Sequence, residues 1–191
     1  ELSDQQLPPT SKISTLVYET VLTWEMFDAW LAKLMAADLV AVDTETTSLD
    51  EMQADLVGIS LSVEAGKAAY IPLGHTTGGG DLFGAAKPAE GQLDLAETIK
   101  ALKPVLEDPS ILKIGQNMKY DWKIFARLGV RITPFDDTML MSYAMHAGLH
   151  NHGMDELSDR YLGHSPFPIK SLLGSGKSQI TFDKVAIDEA V

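Results

Sequence analysis

The sequence predicts a single α/β domain built on a mixed, mostly parallel central sheet that is flanked by helices. Three observations lead to this prediction. Apolar runs too short for helices recur along the chain, three of them follow one another, and two more alternate with helical patterns. Strands in series followed by strands that alternate with helices are typical of a sheet covered by helices. A length of 191 residues supports one domain with a sizeable core.

The first half of the chain carries one helix and then three strands in series. Thr23 is a suitable N-cap for a helix whose apolar side chains recur at helical spacing. These side chains are Phe27, Trp30, Leu31 and Leu34. Three strand-like runs then predict an antiparallel meander, at residues 39–42, 54–63 and 68–73. Residues 1–13 are expected to be an extended entry segment, so the domain itself would begin at residue 14.

The second half alternates helices with strands, after a glycine-rich surface loop predicted for residues 74–92. Asp94, with Glu97 three residues later, predicts a capped helix that Pro104 should kink near its end. Strands are expected at 111–114 and 135–138, and helices at 120–128, 139–145 and 154–162. A last helix is predicted from Thr181 to the end of the sequence.

Composition excludes some kinds of function and leaves others open. A net charge of −12 counts against non-specific nucleic-acid binding through a basic surface. It is compatible with a site in which carboxylates face phosphates across metal ions. The absence of cysteine excludes disulfides and thiolate metal sites, and it fits a reducing cytoplasm. No apolar run approaches the roughly 18 residues that a membrane-spanning helix needs.

The pair Asp43 and Glu45 is the first candidate for chemistry. The two acids are two residues apart at the end of a predicted strand, so their side chains point to the same side of the sheet. Two crowded carboxylates repel unless one is protonated or a cation lies between them, and Mg²⁺ would relieve the repulsion. The pair alone also fits a solvated turn.

A second candidate motif, Gly115 to Asp121, directly follows another predicted strand. Asn117 is expected to cap the helix that begins there. Asp121 lies four residues further on, so both side chains occupy one helical face that is aimed at the carboxyl edge of the sheet. Taken alone, Asp121 also fits a helix-dipole partner in the first turn.

Five motifs follow one another in a specific order and spacing. They are VDTETTSL at 42–49, LVGIS at 56–60, YIPLGH at 70–75, KIGQNMKYD at 113–121 and FDDTM at 135–139. Together they resemble the exonuclease domain of bacterial DNA polymerase I, and the likeness runs from about residue 14 onward. The resemblance implies a ribonuclease H-like fold and a 3′–5′ exonuclease that proofreads DNA.

The resemblance also implies a site. Asp43 would bridge two divalent metal ions, Glu45 would hold one of them and Asp121 the other. Mg²⁺ is favoured, with Mn²⁺ and Zn²⁺ as alternatives. Leu49 would wedge against the terminal base, and the other side chains expected close to the bound strand are Thr44, Gln116, Asn117 and Tyr120. The implied partners are a single-stranded DNA 3′ end and a polymerase module of the same parent chain, in a monomeric, cytoplasmic bacterial protein.

The family's third motif, a Tyr and an Asp beyond residue 191, is expected to lie outside this sequence, so we predict weak or no activity from the isolated chain. Two alternatives remain. One is a stand-alone exoribonuclease similar to ribonuclease D, and the other is a catalytically inactive structural module. Two further patterns are interpreted as surface features. Residues 174–178 lack the strand and glycine spacing of a phosphate-binding loop, and His150 and His152 are expected to form a surface pair.

Overall fold

The computed structural model describes residues 16–77 and 87–191, which form a six-stranded sheet, a two-stranded hairpin and six α-helices. The strands are β1 (Val17–Thr20), β2 (Leu39–Thr46), β3 (Leu56–Glu64), β4 (Lys67–Pro72), β5 (Thr76–Thr77), β6 (Lys87–Pro88), β7 (Leu112–Gly115) and β8 (Phe135–Asp137). The helices are α1 (Trp24–Met35), α2 (Leu95–Leu106), α3 (Met118–Arg127), α4 (Thr138–His146), α5 (Met154–Leu162) and α6 (Ile169–Leu173).

The central sheet has the order β1-β4-β3-β2-β7-β8. Strands β2, β3 and β4 form the predicted antiparallel meander. The pairs β1–β4, β2–β7 and β7–β8 are parallel, so the predicted mixed, mostly parallel sheet is confirmed. Strand β1 was not predicted; it lies at the sheet edge beside β4, just beyond the expected entry segment, whose residues 1–13 fall outside the described residues.

Helices α1 and α2 cover the core with the faces that their sequence periodicity predicts. Thr23 caps α1 by accepting a hydrogen bond from the Met26 amide, and Phe27, Trp30 and Leu34 are buried. Asp94 caps α2 in the same way, through the amide of Glu97. Pro104 lies inside α2, which continues to Leu106, and the expected kink stays a prediction.

Lys113 is fully buried in β7, which is unusual for a lysine. Its ammonium group donates hydrogen bonds to three backbone carbonyls at 2.6–2.8 Å, those of Ile111, Thr133 and Asp108. Burial lowers the pKa of Lys113, and the carbonyls compensate for the water that it has lost. The side chain thereby ties β7 to the chain segments on either side of it.

The predicted C-terminal helix is wrong. Residues after Thr181 form two short 3-10 helices, Phe182–Lys184 and Ile187–Glu189, separated by extended backbone at Val185. The Val185 carbonyl contacts the His75 imidazole at 2.8 Å, and its side chain packs in a buried cluster with Phe182 and Tyr70. These long-range contacts override the local helical pattern.

The remaining loop predictions have mixed outcomes. Most of the glycine-rich loop, residues 78–86, lies outside the described residues, while the flanking strands β5 and β6 pair as a hairpin. Residues 174–178 follow helix α6 rather than a strand, which agrees with the rejection of a phosphate-binding loop. His150 and His152 are half-buried between α4 and α5. Within the described ranges, no helix is long and apolar enough to cross a membrane.

Candidate active site

Asp43 and Glu45 lie near the carboxyl end of strand β2, and both side chains are half-buried. Across the antiparallel ladder Asp43 pairs with Ser60, and Glu45 pairs with Gly58. Because the two acids are two residues apart on a strand, they lie on the same face, as predicted.

Helix α3 places Asp121 beside the same strand, and the side chain is only 3% exposed. Its Oδ1 accepts a hydrogen bond from the Thr44 amide at 3.0 Å and another from Thr44 Oγ1 at 2.5 Å. Thr44 lies between Asp43 and Glu45 in the sequence. Its two hydrogen bonds therefore hold helix α3 against strand β2 next to these acids. All three carboxyl groups that the sequence singled out border the same cavity.

The lack of a side chain at Gly115 lets the start of α3 lie close to strand β2. A Cβ atom at this position would lie 2.9 Å from the Val42 carbonyl oxygen and 2.8 Å from the sulfur of Met118. Such contacts are shorter than side chains tolerate, so the glycine lets the buried Met118 pack beneath the start of the helix.

The three carboxyl groups share an environment that disfavours their ionised forms. Burial, and then the charges of Asp43 and Asp121, raise the pKa of Glu45 to about 7. Burial also raises the pKa of Asp121 to about 7, against the opposing effect of the Thr44 hydrogen bonds. The pKa of Asp43 is raised by burial too. Three acids at one edge with raised pKa values form a site that a cation would stabilise.

The donor set fits a hard divalent cation. In the described part of the chain, no three His, Cys, Asp or Glu side chains are arranged so that they could hold one ion between them. A Mg²⁺ ion does not need such a cage, since it is usually held by one or two carboxylates together with waters and substrate phosphates. Carboxylate oxygens at Asp43, Glu45 and Asp121 match that pattern, and an acidic pair can be shared between two ions.

A groove of about 620 Å³ opens beside these acids. One wall is the end of β2 with the turn that follows it, and a second is the start of α3. The third wall comes from the C-terminal segment, with Leu173, Gly176 and residues 179–182. This third wall was missed from the sequence, because the residues that form it carry no charged or metal-binding motif. Residues 174–178 were interpreted as a surface feature, and only the residues from Thr181 onward were expected to be helical.

Leu49 lies at the mouth of the groove and is 95% exposed. An apolar side chain held in water next to a cluster of acids has no role in the core. The turn that carries it is fixed by Tyr120, whose hydroxyl donates a hydrogen bond to the Ser48 carbonyl and lies 2.5 Å from Thr46 Oγ1. Tyr120 therefore supports the turn as well as lining the groove.

Gln116 and Asn117 also line the groove, but the structure changes how they are understood. The Gln116 amide donates to the His152 carbonyl at 2.7 Å and accepts from Thr138 Oγ1 at 2.5 Å, so its side chain is engaged within the protein. Asn117 does not cap α3 through its side chain, which corrects the prediction; its backbone is left-handed, with φ of +60°, and its side chain is exposed.

The cap of α3 comes instead from Asp137, a residue to which the sequence motifs gave no role. Its carboxylate accepts hydrogen bonds from the amides of Asn117 at 3.1 Å and Met118 at 2.9 Å. It also caps its own helix α4 through the amides of Met139 and Leu140. One buried carboxylate thus orients both helices, and only the tertiary fold brings these four amides together.

Comparison with known proteins shows the family of the chain. The profile of a 3′–5′ exonuclease family matches residues 18–189. The chain belongs to this 3′–5′ exonuclease family. It is 47% identical to DNA polymerase I of Rhizobium leguminosarum over 182 residues, which cover 91% of this chain and 18% of that protein. It is 44% identical to DNA polymerase I of Pseudomonas aeruginosa over 176 residues, again covering 91% of this chain and 18% of the relative. The chain therefore spans less than a fifth of the length of these relatives.

Solved exonuclease structures share the fold. RNase D of Escherichia coli, described as an exoribonuclease involved in structured RNA processing, matches with a TM-score of 0.61 and 21% identity over 84% of this chain and 36% of its own. Brucella melitensis NrnC with bound Mg²⁺ matches with a TM-score of 0.54 and 21% identity over 80% of this chain and 64% of its own. The predicted ribonuclease H-like fold is confirmed, and exonucleases of this family typically use divalent metal ions.

Proposed function

We propose that this exonuclease domain hydrolyses nucleotides from the 3′ end of single-stranded or frayed DNA, with Mg²⁺ as its metal, within a bacterial cytoplasmic DNA polymerase. The observation that carries the proposal is the meeting of Asp43, Glu45 and Asp121 beside a groove whose mouth presents Leu49. The similarity to two DNA polymerases I supports DNA as the substrate and a polymerase module as the partner. A monomeric parent protein is also part of the proposal.

In this proposal Asp43, Glu45 and Asp121 would hold the metal ions. Bound divalent ions supply an acidified water and stabilise the departing 3′ oxygen. The amide and the hydroxyl of Thr44 both donate hydrogen bonds to Oδ1 of Asp121, which orients the carboxylate. Because each pKa is raised without metal, binding an ion would release protons near neutral pH.

The remaining residues of the groove would bind the strand. Leu49 would insert against the terminal base, and an end that is already mispaired costs little to unstack, which favours frayed ends. Tyr120 and Thr46 would keep the turn that carries Leu49 in place. Gln116 and Asn117 would line the path of the strand on the side of α3.

The test is cleavage of a 5′-labelled single-stranded DNA by the 191-residue chain in excess, with and without Mg²⁺. We expect slow, stepwise shortening from the 3′ end that depends on the metal. Asp43→Asn should abolish it and weaken metal binding in calorimetry. Asp28→Asn, which makes the same charge change on the exposed face of α1, should leave both intact. Retention of cleavage and metal affinity in Asp43→Asn would contradict the proposed site.

A parallel assay with RNA of the same sequence tests the substrate. The likeness to ribonuclease D is at 21% identity and supports the fold alone. We therefore expect DNA to be shortened faster than RNA. A strong preference for RNA would overturn the DNA assignment while leaving the exonuclease chemistry intact.

A further inference from the structure

His75 is a buried imidazole, 1% exposed, that none of the proposed chemistry uses. Its Nδ1 lies 2.8 Å from the backbone carbonyl oxygen of Val185, and its Nε2 lies 2.6 Å from the hydroxyl of Tyr70. A carbonyl oxygen only accepts, so Nδ1 must carry the proton and donate it to Val185. In the neutral ring Nε2 is then the acceptor of the Tyr70 hydroxyl. Burial lowers the pKa of His75, which agrees with a neutral ring.

Tyr70 connects this imidazole to the strand next to the acids. Its ring lies over Gly58 of β3, where an added Cβ atom would sit 2.1 Å from the tyrosine oxygen. Gly58 is the residue that pairs with Glu45 across the ladder. Burial, together with the charge of Glu45, raises the pKa of Tyr70, which agrees with this proximity. The hydroxyl and the imidazole thus lie one strand away from the proposed metal site.

The other end of the connection is the third wall of the groove. Phe182 and Val185 are buried against Tyr70 and Val57 in a small apolar cluster of their own. The rings of Phe182 and His75 have centroids 5.9 Å apart. Residues 179–182 line the groove, and Phe182 belongs both to this lining and to the apolar cluster. The wall is therefore attached to the sheet at the position where His75 contacts Val185.

A second contact ties the same segment to the residue after His75. The hydroxyl of Thr76 lies 3.1 Å from Oδ2 of Asp183 and 3.2 Å from its carbonyl oxygen. The C-terminal residues from 179 to 190 are otherwise short 3-10 turns and extended backbone, which provide few hydrogen bonds of their own. A segment of this kind takes its position from tertiary contacts.

We infer that Tyr70 and His75 are positioning residues of the exonuclease: they hold residues 179–185 in place as the far wall of the substrate groove. The placement of the wall rests on the geometry alone. That the wall then binds the DNA strand rests on the proposed function. Without the imidazole, the Tyr70 hydroxyl and the Val185 carbonyl would both lose a buried partner, and the wall would separate from the sheet.

The first measurement is amide hydrogen exchange in the 191-residue chain, which does not depend on activity. His75→Ala should increase exchange of the amides of 180–189 by about tenfold or more, since a buried hydrogen bond is lost, while β2 and β3 stay protected. Trypsin should also cleave after Lys184 sooner. Tyr70→Phe keeps the ring over Gly58, removes only the hydroxyl and should give a smaller increase in the same amides.

His75→Asn serves as the conservative variant, because its amide N–H can donate near the position of Nδ1. It should restore most of the protection that His75→Ala loses. Ile99→Ala in α2 is the matched destabilised control, since it truncates a core residue on a different element. It should raise exchange across the sheet without singling out residues 180–189. Unchanged exchange at 180–189 in His75→Ala, or an equal effect of Ile99→Ala there, would overturn the inference.

The second measurement separates binding from chemistry in single-turnover cleavage of single-stranded DNA. His75→Ala should raise the half-saturating concentration about tenfold and change the maximal rate by less than about threefold, as expected for a lost binding wall. An equal loss in the maximal rate would show that His75 supports the acids instead of the wall, and would overturn its assignment. If the 191-residue chain cleaves too slowly to measure, as its predicted weak activity allows, the dissociation constant for single-stranded DNA replaces the half-saturating concentration. A wild-type chain that neither cleaves nor binds single-stranded DNA would contradict the proposed function, while the exchange result still decides the placement of the wall.

Discussion

Replacing Asp137 with alanine should destabilise the protein more than the loss of any ordinary helix cap. The carboxylate accepts hydrogen bonds from four backbone amides at 2.9–3.3 Å, two at the start of α3 and two at the start of α4. A single N-cap contributes roughly 0.5–2 kcal/mol, so two caps supplied by one side chain should amount to about 2 kcal/mol, and up to about 4. The residue is 7% exposed, so water cannot fully replace the lost acceptor.

Urea unfolding followed by circular dichroism measures this difference, with the change read from the midpoint at constant slope. Asp94→Ala is the matched control, because Asp94 accepts one amide hydrogen bond, from Glu97, at the start of α2. We expect the control to cost about 1 kcal/mol and Asp137→Ala about twice as much. Asp137→Asn, which keeps one oxygen acceptor, should fall between them. If Asp137→Ala costs no more than Asp94→Ala, the double cap does not stabilise the fold as argued.

Three further predictions concern the groove, the buried lysine and the acids. Leu49→Ala should leave the free energy of unfolding within about 0.5 kcal/mol, because the side chain is 95% exposed, yet weaken binding of single-stranded DNA; a stability loss above that range would show a core role instead. Lys113→Met should destabilise by about 2 kcal/mol or more in urea unfolding, because buried carbonyls lose their donor, and a neutral result would contradict the role of that ammonium group. Without metal, Glu45 and Asp121 hold protons in the folded state up to about pH 7, so thermal stability should fall as pH rises from about 4 to about 7. Over the same range Mg²⁺ should bind more tightly in calorimetry, since it needs the ionised acids, and a pH-independent affinity would refute this linkage.

Local pattern predicted most of the secondary structure. The helices that Thr23 and Asp94 cap begin where the sequence indicates, because an N-cap depends on a side chain and an amide only three residues apart. The strand that carries Asp43 and Glu45 was recognised because a short apolar run between turns has few other stable conformations. Because side chains alternate between the two faces of a strand, two acids two residues apart were then expected on the same face.

Contacts between residues far apart in the sequence account for the two local predictions that were wrong. The helix predicted from Thr181 does not form, because Val185 satisfies an imidazole 110 residues away and packs in a buried cluster with Phe182. The side chain of Asn117 does not cap its helix; instead Asp137, from β8, accepts hydrogen bonds from the amides of Asn117 itself and of Met118. In both cases the local sequence pattern supported the prediction, but the contact in the structure is made by a residue far away in the sequence.

The sequence by itself determined the fold class and the family, and it singled out three acids as candidates, because each of these depends on residue types at short, regular spacing. Only the tertiary structure decided that Thr44 orients Asp121, that Asp137 caps two helices, and that His75 attaches the C-terminal wall. Each of these contacts joins residues that are remote in sequence, and hydrogen bonds of this kind exist only once the sheet and its helices have packed. The acids could therefore be proposed from the sequence, while the groove beside them could not.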